Sequence, residues 1–460
     1  MQKEMPDIIE VQNGVILPAK YMSLVFPCGL GGVINEKGEF IEESGTEFPE
    51  IFGGAYAYNI LEENSLEEEV IYIGHLRTHW GHFLIDCTMR MWYLAEKNVP
   101  CRIAYCGTMF DENTLPENIL AFFNLFGIKH NQLLDIKVPT RVSRILIPRV
   151  SLGPENLYTY KFKDMFRSVS GKIDVDLYET SEKLYYTRTG LVNENEIGEK
   201  LIEEIFRKNG YRIISPERES LERQIALMKS CRIFASIEGT VAHNIVFAGE
   251  QTKQIILRKH TYINVRQPRL NKCMDVKADY INVGCRPFGK CFPPDYYGGI
   301  FWLRATKELR SYCRENNMWF PTRREILLAD IKNVVKYLHR CGKHLRECLE
   351  TRYQTDREDR AILGRVYLYK NIVIYGMNAR ALRWERKIRK KRRTSRIFMT
   401  DSNWRRIQKY REMYDWESLI TLGSCCFLIS ISNAEASAEV KGILVRRGIN
   451  EKDIYCYAGS

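Results

Sequence analysis

Alternating strand-like and helix-like segments between residues 183 and 257 constrain the fold of this chain more than any other feature. Strand patterns lie at residues 184–187, 211–214, 233–236 and 254–257. Helical patterns separate them at residues 194–209, 220–229 and 241–247, and Ser220 is placed to cap the second. This βαβαβαβ order predicts a parallel sheet that is covered by helices.

Two residues follow strands at what should be one edge of this sheet. Gly239 separates a strand from the helix at 241–247, where a glycine admits a ligand to the backbone and a helix start attracts an anion. Arg188 follows the strand at 184–187, and its guanidinium group suits a phosphate. Ligands of such sheets bind beyond the carboxyl ends of the strands, so a diphosphate-binding edge is one interpretation. A turn glycine and a surface arginine are the alternative.

A second candidate site lies on a helical pattern that follows the strand predicted at 69–74. One face of this helix is apolar: Trp80, Phe83, Leu84, Cys87, Met91 and Leu94. A polar row follows the same steps: His79, His82, Asp86 and Arg90. His82 and Asp86 are one turn apart, and a carboxylate beside an imidazole is a general-base arrangement in which either group could act. A solvated polar face is the alternative, and no third ligand supports a metal site.

The periodicity divides the chain into four parts. Residues 1–165 are predicted to form an N-terminal α/β domain, residues 166–300 a Rossmann-like domain, and residues 301–365 a helical connector. Residues 366–460 begin again with a strand, Gly376 and a helix, which predicts a C-terminal Rossmann-like domain. Asn378 and Ala381 occupy the other glycine places of a GxGxxG pattern, which argues against dinucleotide binding there.

The formal charge of +12 is concentrated in one segment. Between Arg383 and Arg396 lie nine lysines and arginines against one acid, Glu385, for a net charge of +8. A solvated helix face and contact with an anionic membrane surface remain open. Nucleic-acid binding is the least favoured interpretation, because no recognition helix or aromatic platform accompanies the segment.

The sequence also predicts where the chain resides. The first residues have no apolar core of a signal peptide, and the longest apolar run, residues 419–431, is too short to span a bilayer. The 14 cysteines are scattered without a CxxC pair, which predicts reduced thiols and no zinc site. We therefore expect a cytoplasmic protein, with peripheral contact at the inner face of the membrane as an open alternative.

Four blocks of the sequence resemble those of glycosyltransferase family 61, in the same order. Residues 78–94 resemble the family's "xxHxxxDxxxRxxxL" helix, and residues 184–188, Leu-Tyr-Tyr-Thr-Arg, resemble its "YxxR" block. Residues 216–224 resemble "PExxSxxEQ", and residues 235–244 resemble "HGAxxTN". The resemblance covers roughly residues 70–260.

The resemblance implies an α/β, GT-B-like fold in which two Rossmann-like domains face each other across a cleft. The second domain would hold a nucleotide sugar, expected to be a UDP-sugar. The implied reaction is an inverting transfer to a hydroxyl of a glycan or lipid-linked glycan acceptor, without a metal or other cofactor. Bacterial relatives build capsular polysaccharide or exopolysaccharide.

The resemblance also implies roles for individual residues. Arg188 and the N–H groups near Gly239 and Thr240 would hold the diphosphate. Glu222 and Asn244 would fix the nucleotide or its loop, and His82 or Asp86 would deprotonate the acceptor.

Two departures from the family pattern concern the donor site. Glu238 stands where the family often has histidine, and a carboxylate beside a diphosphate is unfavourable unless it points away or binds a sugar hydroxyl. His243 stands where the family often has threonine and is expected to supply a positive partner. Glu238 and the extra C-terminal domain leave open a non-catalytic scaffold of a polysaccharide assembly complex.

Overall fold

The structure is a computed structural model, and the features below belong to the residues that it describes. These are residues 8–21, 29–46, 52–96, 101–107, 114–191, 196–260, 264–287, 300–392, 394–402, 404–408, 412–422, 424–431 and 434–457.

Six strands form a first, mixed sheet. They are β1 (Ile8–Tyr21), β2 (Gly29–Ile34), β3 (Asn64–Leu76), β4 (Arg102–Gly107), β5 (Leu133–Asp135) and β6 (Thr140–Pro148). Their order is β2-β1-β6-β3-β4-β5. Strands β3 to β6 are parallel, and β1 pairs antiparallel with both β2 and β6. The strand predicted at 69–74 is therefore confirmed within the longer strand β3.

The first sheet and the helices that follow its strands β3, β4 and β6 along the chain make up the first half of the site region, residues 8–171. These helices are α1 (Trp80–His82), α2 (Trp92–Glu96), α3 (Glu117–Asn124) and α4 (Tyr160–Gly171). The continuous helix predicted over residues 75–94 is wrong, because a π-helical turn, Phe83–Cys87, and a 3-10 turn, Thr88–Arg90, interrupt it. The Thr88 hydroxyl donates to the Leu84 carbonyl at 2.6 Å, and this bond competes with regular helix geometry.

A second sheet is fully parallel, as the alternation predicts. Its strands are β7 (Lys183–Tyr186), β9 (Arg212–Ile214), β10 (Ile233–Ile237), β11 (Lys253–Arg258) and β12 (Lys277–Asn282). Their order is β12-β11-β10-β7-β9. A small third sheet joins β8 (Glu196–Ile197), β13 (Gly284–Cys285) and β14 (Phe301–Leu303).

The predicted helices of this half are present with shifted ends. They are α5 (Glu199–Lys208), α6 (Leu221–Ser230) and the 3-10 helix Thr240–Phe247, and a further helix, α7 (Arg266–Cys273), was not predicted. Ser220 caps α6 as predicted, since its side chain accepts from the Arg223 N–H. Helix α5 begins later than predicted because β8 pairs with β14 just before it.

The helices that accompany the first sheet and those that accompany the second sheet share one apolar core. Phe83 and Phe122 have ring centroids 5.2 Å apart, Phe122 and Phe166 are 6.0 Å apart, and Phe166 and Phe247 are 5.4 Å apart. The predicted boundary between residues 165 and 166 falls inside α4, which belongs to this core. The two sheets confirm an α/β chain, and the GT-B arrangement of facing domains stays a prediction.

The remainder contains a helical connector and a fourth sheet. Its helices are α8 (Lys307–Glu315), α9 (Arg323–Val366), α10 (Ala379–Lys391), α11 (Trp404–Ile407), α12 (Trp416–Ile420) and α13 (Ala434–Arg446). Its strands are β15 (Asn371–Tyr375), β16 (Arg396–Thr400), β17 (Cys425–Ile429) and β18 (Ile454–Cys456). The sheet is parallel with the order β16-β15-β17-β18, which agrees with a C-terminal Rossmann-like unit. Val366 ends α9 rather than starting a strand.

Internal contacts occupy the position where this unit would bind a dinucleotide. The Asn378 side chain accepts from the N–H groups of Arg380 and Ala381 at the start of α10. The Asp401 carboxylate accepts from the Met377 N–H at 2.8 Å. Since these backbone donors already have protein partners, the geometry agrees with the sequence argument against dinucleotide binding.

The basic segment is divided between packing and solvent. Arg383 and Lys387 of α10 pair with the fully buried Asp359 of α9 at 3.1 and 2.8 Å. Six further basic side chains of this segment are exposed among the described residues: Arg386, Arg389, Lys390, Lys391, Arg392 and Arg396. Across the described ranges, no helix combines the length and apolarity that a bilayer crossing requires.

Candidate functional site

Two cations meet above the backbone of Gly239 at the carboxyl edge of the second sheet. Arg188, Gly239 and Lys259 follow β7, β10 and β11, which are neighbouring strands. A Cβ atom at Gly239 would lie 3.7 Å from Arg188 Nη1 and 4.0 Å from Lys259 Nζ. The φ of Gly239 is +121°, a conformation that favours glycine. The predicted glycine and arginine are therefore brought together, and a lysine joins them.

A buried glutamate holds both cations. Glu196 Oε1 lies 3.4 Å from Arg188 Nη1 and 2.9 Å from Lys259 Nζ, and the Glu196 side chain is only 5% exposed. The single carboxylate of Glu196 therefore pairs with both cations. Sequence reasoning missed Lys259, although it lies two residues after the strand predicted at 254–257 and a position after a strand was the signal that singled out Arg188.

A second buried glutamate fixes the backbone of Arg188. Glu199 Oε1 accepts from the Arg188 N–H at 3.1 Å and from the Tyr185 hydroxyl at 3.0 Å. Burial raises the pKa of Glu199 to about 7. Glu196 and Glu199 thus position the arginine through its side chain and its main chain.

Glu238 holds the loop that carries Lys259. Its carboxylate accepts from the backbone N–H of Lys259, and from the N–H of His260 at 3.2 Å. The His260 Nδ1 atom is 2.9 Å from the same oxygen. The Glu238 carboxylate therefore accepts two backbone hydrogen bonds and lies beside an imidazole nitrogen.

His243 does not supply the expected positive charge. Burial lowers the pKa of His243 to about 4, so the ring is neutral near pH 7. Its Nδ1–H donates to Gln267 Oε1 at 2.8 Å, because the Gln267 amide nitrogen donates to Asn271. Lys259 provides the second cation instead.

Asn244 joins the two halves rather than lining an open surface. This residue is 1% exposed. Its Oδ1 accepts from Trp80 Nε1 at 3.1 Å, and its Nδ2 donates to the Val241 carbonyl at 3.1 Å. Both side-chain atoms therefore serve internal bonds, one of which reaches α1.

The two halves approach each other closely where α1 meets the 3-10 helix. A Cβ atom at Gly81 would lie 2.9 Å from Thr240 Oγ1 and 3.2 Å from Thr240 Cα. Only glycine fits at this distance without displacement of a neighbour. Thr240 therefore links the sheet edge that carries Arg188 and Lys259 to the helix that carries His82.

His82 and Asp86 form the arrangement that the sequence predicts. The His82 Nδ1 atom lies 2.7 Å from Asp86 Oδ2. Arg266, at the start of α7, donates to the same oxygen at 3.3 Å. The ring of His79 stands edge-on to that of His82 at 5.2 Å, and burial together with His82 lowers the pKa of His79.

Arg90 does not belong to this polar row. The Arg90 guanidinium group is buried and donates to the carbonyls of Pro148 at 2.6 Å and Gly45 at 2.8 Å. The expectation that His82, Asp86 and Arg90 form one wall is therefore wrong for the arginine, because the π-helical turn changes the helical register between Asp86 and Arg90.

Glu222 is not brought into the cluster by any contact of the described residues. It lies in the first turn of α6, where no side-chain hydrogen bond or ion pair of the described chain involves it. Gln224 fixes the preceding loop instead, since its Nε2 donates to the carbonyls of Pro216 at 2.9 Å and Glu219 at 3.0 Å.

A small cavity of about 130 Å³ adjoins the cations. Glu238, Gly239, His243, Lys259 and Tyr280 are among the residues that line it. The Tyr280 hydroxyl is buried and has no hydrogen-bond partner within the described ranges. A larger cavity of about 810 Å³ lies at the opposite, amino end of the strands, and none of the predicted site residues lines it.

Residues 80–255 match the model of a protein family described as Glycosyltransferase 61. The match includes the π-helical turn, the Arg188 segment and the loop of Gly239. No curated protein matches the chain.

Proposed function

The chain is a member of glycosyltransferase family 61 through residues 80–255, and we propose that it transfers a sugar from a nucleotide-sugar donor to a hydroxyl of a glycan acceptor. The observation that carries this proposal is the pair of cations, Arg188 and Lys259, above the exposed backbone of Gly239. A nucleoside diphosphate is the leaving group whose charge this arrangement suits.

The two cations act when the leaving group departs. Negative charge develops on the diphosphate as the bond to the sugar breaks, and fixed cations stabilise that charge without reorganisation. Glu196 keeps the arginine and lysine side chains together, and Glu199 and Glu238 hold their backbone segments. We therefore assign diphosphate binding to Arg188, Lys259, Gly239 and Thr240.

His82 is the proposed base, with Asp86 as its orienting partner. Asp86 accepts the Nδ1–H of His82, which leaves the lone pair on His82 Nε2 for the acceptor. Arg266 fixes the Asp86 carboxylate from the second half of the molecule.

The proposed step is a direct displacement. The acceptor oxygen forms a bond to the anomeric carbon while the bond from that carbon to the phosphate oxygen breaks. The acceptor proton moves to His82 Nε2, and the diphosphate leaves with the electron pair. Attack from the face opposite the leaving group inverts the anomeric centre.

We further propose a UDP-sugar donor and an acceptor of capsular polysaccharide or exopolysaccharide biosynthesis. This assignment rests on the family resemblance. The exposed basic side chains of α10 would favour an anionic membrane surface, where a lipid-linked glycan acceptor would lie.

Release of nucleoside diphosphate from a panel of nucleotide sugars, with candidate glycan acceptors, tests the proposal. We expect His82→Ala to lower the release rate by roughly 100-fold or more, the usual contribution of a general base, with nucleotide affinity unchanged. His130→Ala is the matched control, because His130 is an exposed histidine on a separate 3-10 turn. An unchanged rate in His82→Ala would refute the assigned base, and nucleotide binding without any turnover in the wild-type protein would favour a scaffold.

A further inference from the structure

Helix α9 carries an exposed apolar row along its length. Eight large apolar side chains of this helix are between 46% and 66% exposed: Leu327, Leu328, Ile331, Val335, Leu338, Leu345, Leu349 and Tyr353. A row of this extent on one element is unusual for a surface that only meets water.

The row does not face the body of the protein. Val334, Tyr337 and Cys341 are the α9 residues that pack beside Ile197 and Trp302. Apart from Leu327, which lies one heptad before Val334, the exposed row lies beside this packed face, and contacts among the described residues do not account for it.

The spacing of the row is that of a coiled coil. Six residues follow alternating steps of three and four, and we name them the seam: Leu328, Ile331, Val335, Leu338, Leu345 and Leu349. Gly342 occupies the one remaining position of the series. A repeat of 3.5 residues keeps an apolar seam facing a second helix over several turns.

We infer that the seam pairs in parallel with the seam of a second copy of this chain. Three basic residues flank it on one side: Lys332, His339 and Arg346. On the other side the flank is uncharged: Leu327 is exposed, whereas Val334 and Cys341 pack on the body of the chain. In a parallel pair each basic flank faces the uncharged flank of the partner, whereas an antiparallel pair would place basic residues against each other.

The exposed area matches what a stable dimer needs. Eight side chains that each present on the order of 100 Å² offer about 800 Å² per chain, which is the share that one partner contributes to a standard interface. The seam spans residues 328–349, or about 32 Å at the rise of an α-helix.

Light scattering after size exclusion, at several concentrations, tests the inference on the full chain of 54.0 kDa. We expect twice this mass for the wild-type protein and a dimer dissociation constant at least 100-fold higher in Leu338→Gln/Leu345→Gln. The matched control is Arg340→Gln/Glu347→Gln, which makes the same spacing of changes on the exposed opposite face. A monomeric wild-type protein, or equal weakening in the control, would overturn the inference.

Gly342→Leu tests the seam without removing apolar surface. No atom lies within 4 Å of a Cβ built at Gly342, so a leucine has space and completes the repeat. We expect the dimer to tighten at least tenfold. An unchanged dissociation constant would overturn the inference, as would binding of the monomer through this row to vesicles that contain anionic lipid.

Discussion

Gly81→Ala tests whether the two halves of the site meet as closely as the structure indicates. The new Cβ atom would lie 2.9 Å from Thr240 Oγ1, 3.1 Å from Thr240 Cγ2 and 3.2 Å from Thr240 Cα, against ordinary contacts that begin at 3.4 Å. The two helices must therefore separate by roughly 0.2–0.5 Å, and overpacking of this kind costs about 1–3 kcal/mol.

Thr240→Ala removes the two closest atoms and leaves the 3.2 Å contact to Cα. The double variant should therefore recover about 1 kcal/mol of the loss, which is a coupling typical of residues in contact. Urea unfolding of both single variants and the double variant measures this coupling. Gly171→Ala is the control, because a Cβ there has no neighbour within 4 Å.

The same variants report on function. A shift of a few tenths of an ångström between His82 and the diphosphate edge should lower turnover more than it lowers nucleotide affinity, since geometry matters most in the reacting complex. Strict additivity of the Gly81→Ala and Thr240→Ala losses would refute the contact, and so would a Gly81→Ala variant as stable as Gly171→Ala.

Three further predictions concern buried polar groups. Tyr280→Phe should leave the free energy of unfolding unchanged and raise KM for the nucleotide sugar severalfold, because the hydroxyl has no partner in the described structure and Tyr280 lines the cavity beside Lys259; equal KM values would contradict this. Between pH 4.5 and about 7 the folded protein keeps the Glu199 proton that the unfolded chain releases, so the free energy of unfolding falls by about 3 kcal/mol as the pH rises. Glu199→Gln should abolish this fall. Denaturant titrations across this pH range measure it, and an unchanged pH slope in the variant would contradict the prediction. Trp80→Phe should cost about 1–3 kcal/mol in thermal or urea unfolding, because it leaves the buried Asn244 oxygen without its donor, and a neutral result would contradict that role.

The parallel sheet was predictable because its signal is local. Each strand of residues 183–257 is a short apolar run between helical patterns, and buried parallel strands such as β7, β10 and β11 have that composition. The positions of Arg188 and Gly239 at one edge followed from the rule that parallel strands end together. His82 and Asp86 were predictable for a similar reason, since a spacing of four places them one turn apart.

The rest depended on tertiary contacts that a sequence does not display. The helix at 75–94 breaks because Thr88 bonds to the backbone and Arg90 is drawn to the carbonyls of Pro148 and Gly45. His243 loses its expected charge because neighbouring elements bury it. The antiparallel pairing of β1 with β6 joins segments more than a hundred residues apart, which no local pattern signals.

Calorimetric titration of nucleoside diphosphates tests the central claim that Arg188 and Lys259 bind the donor's diphosphate. The wild-type protein should bind at least one of UDP, GDP or TDP, and Arg188→Gln and Lys259→Gln should each weaken it about 10- to 150-fold, the worth of one charge-assisted hydrogen bond. Arg232→Gln is the matched control, because Arg232 is 78% exposed and immediately precedes β10, at the opposite end of that strand from Gly239. Wild-type affinity in both test variants, or an equal loss in Arg232→Gln, would contradict the account.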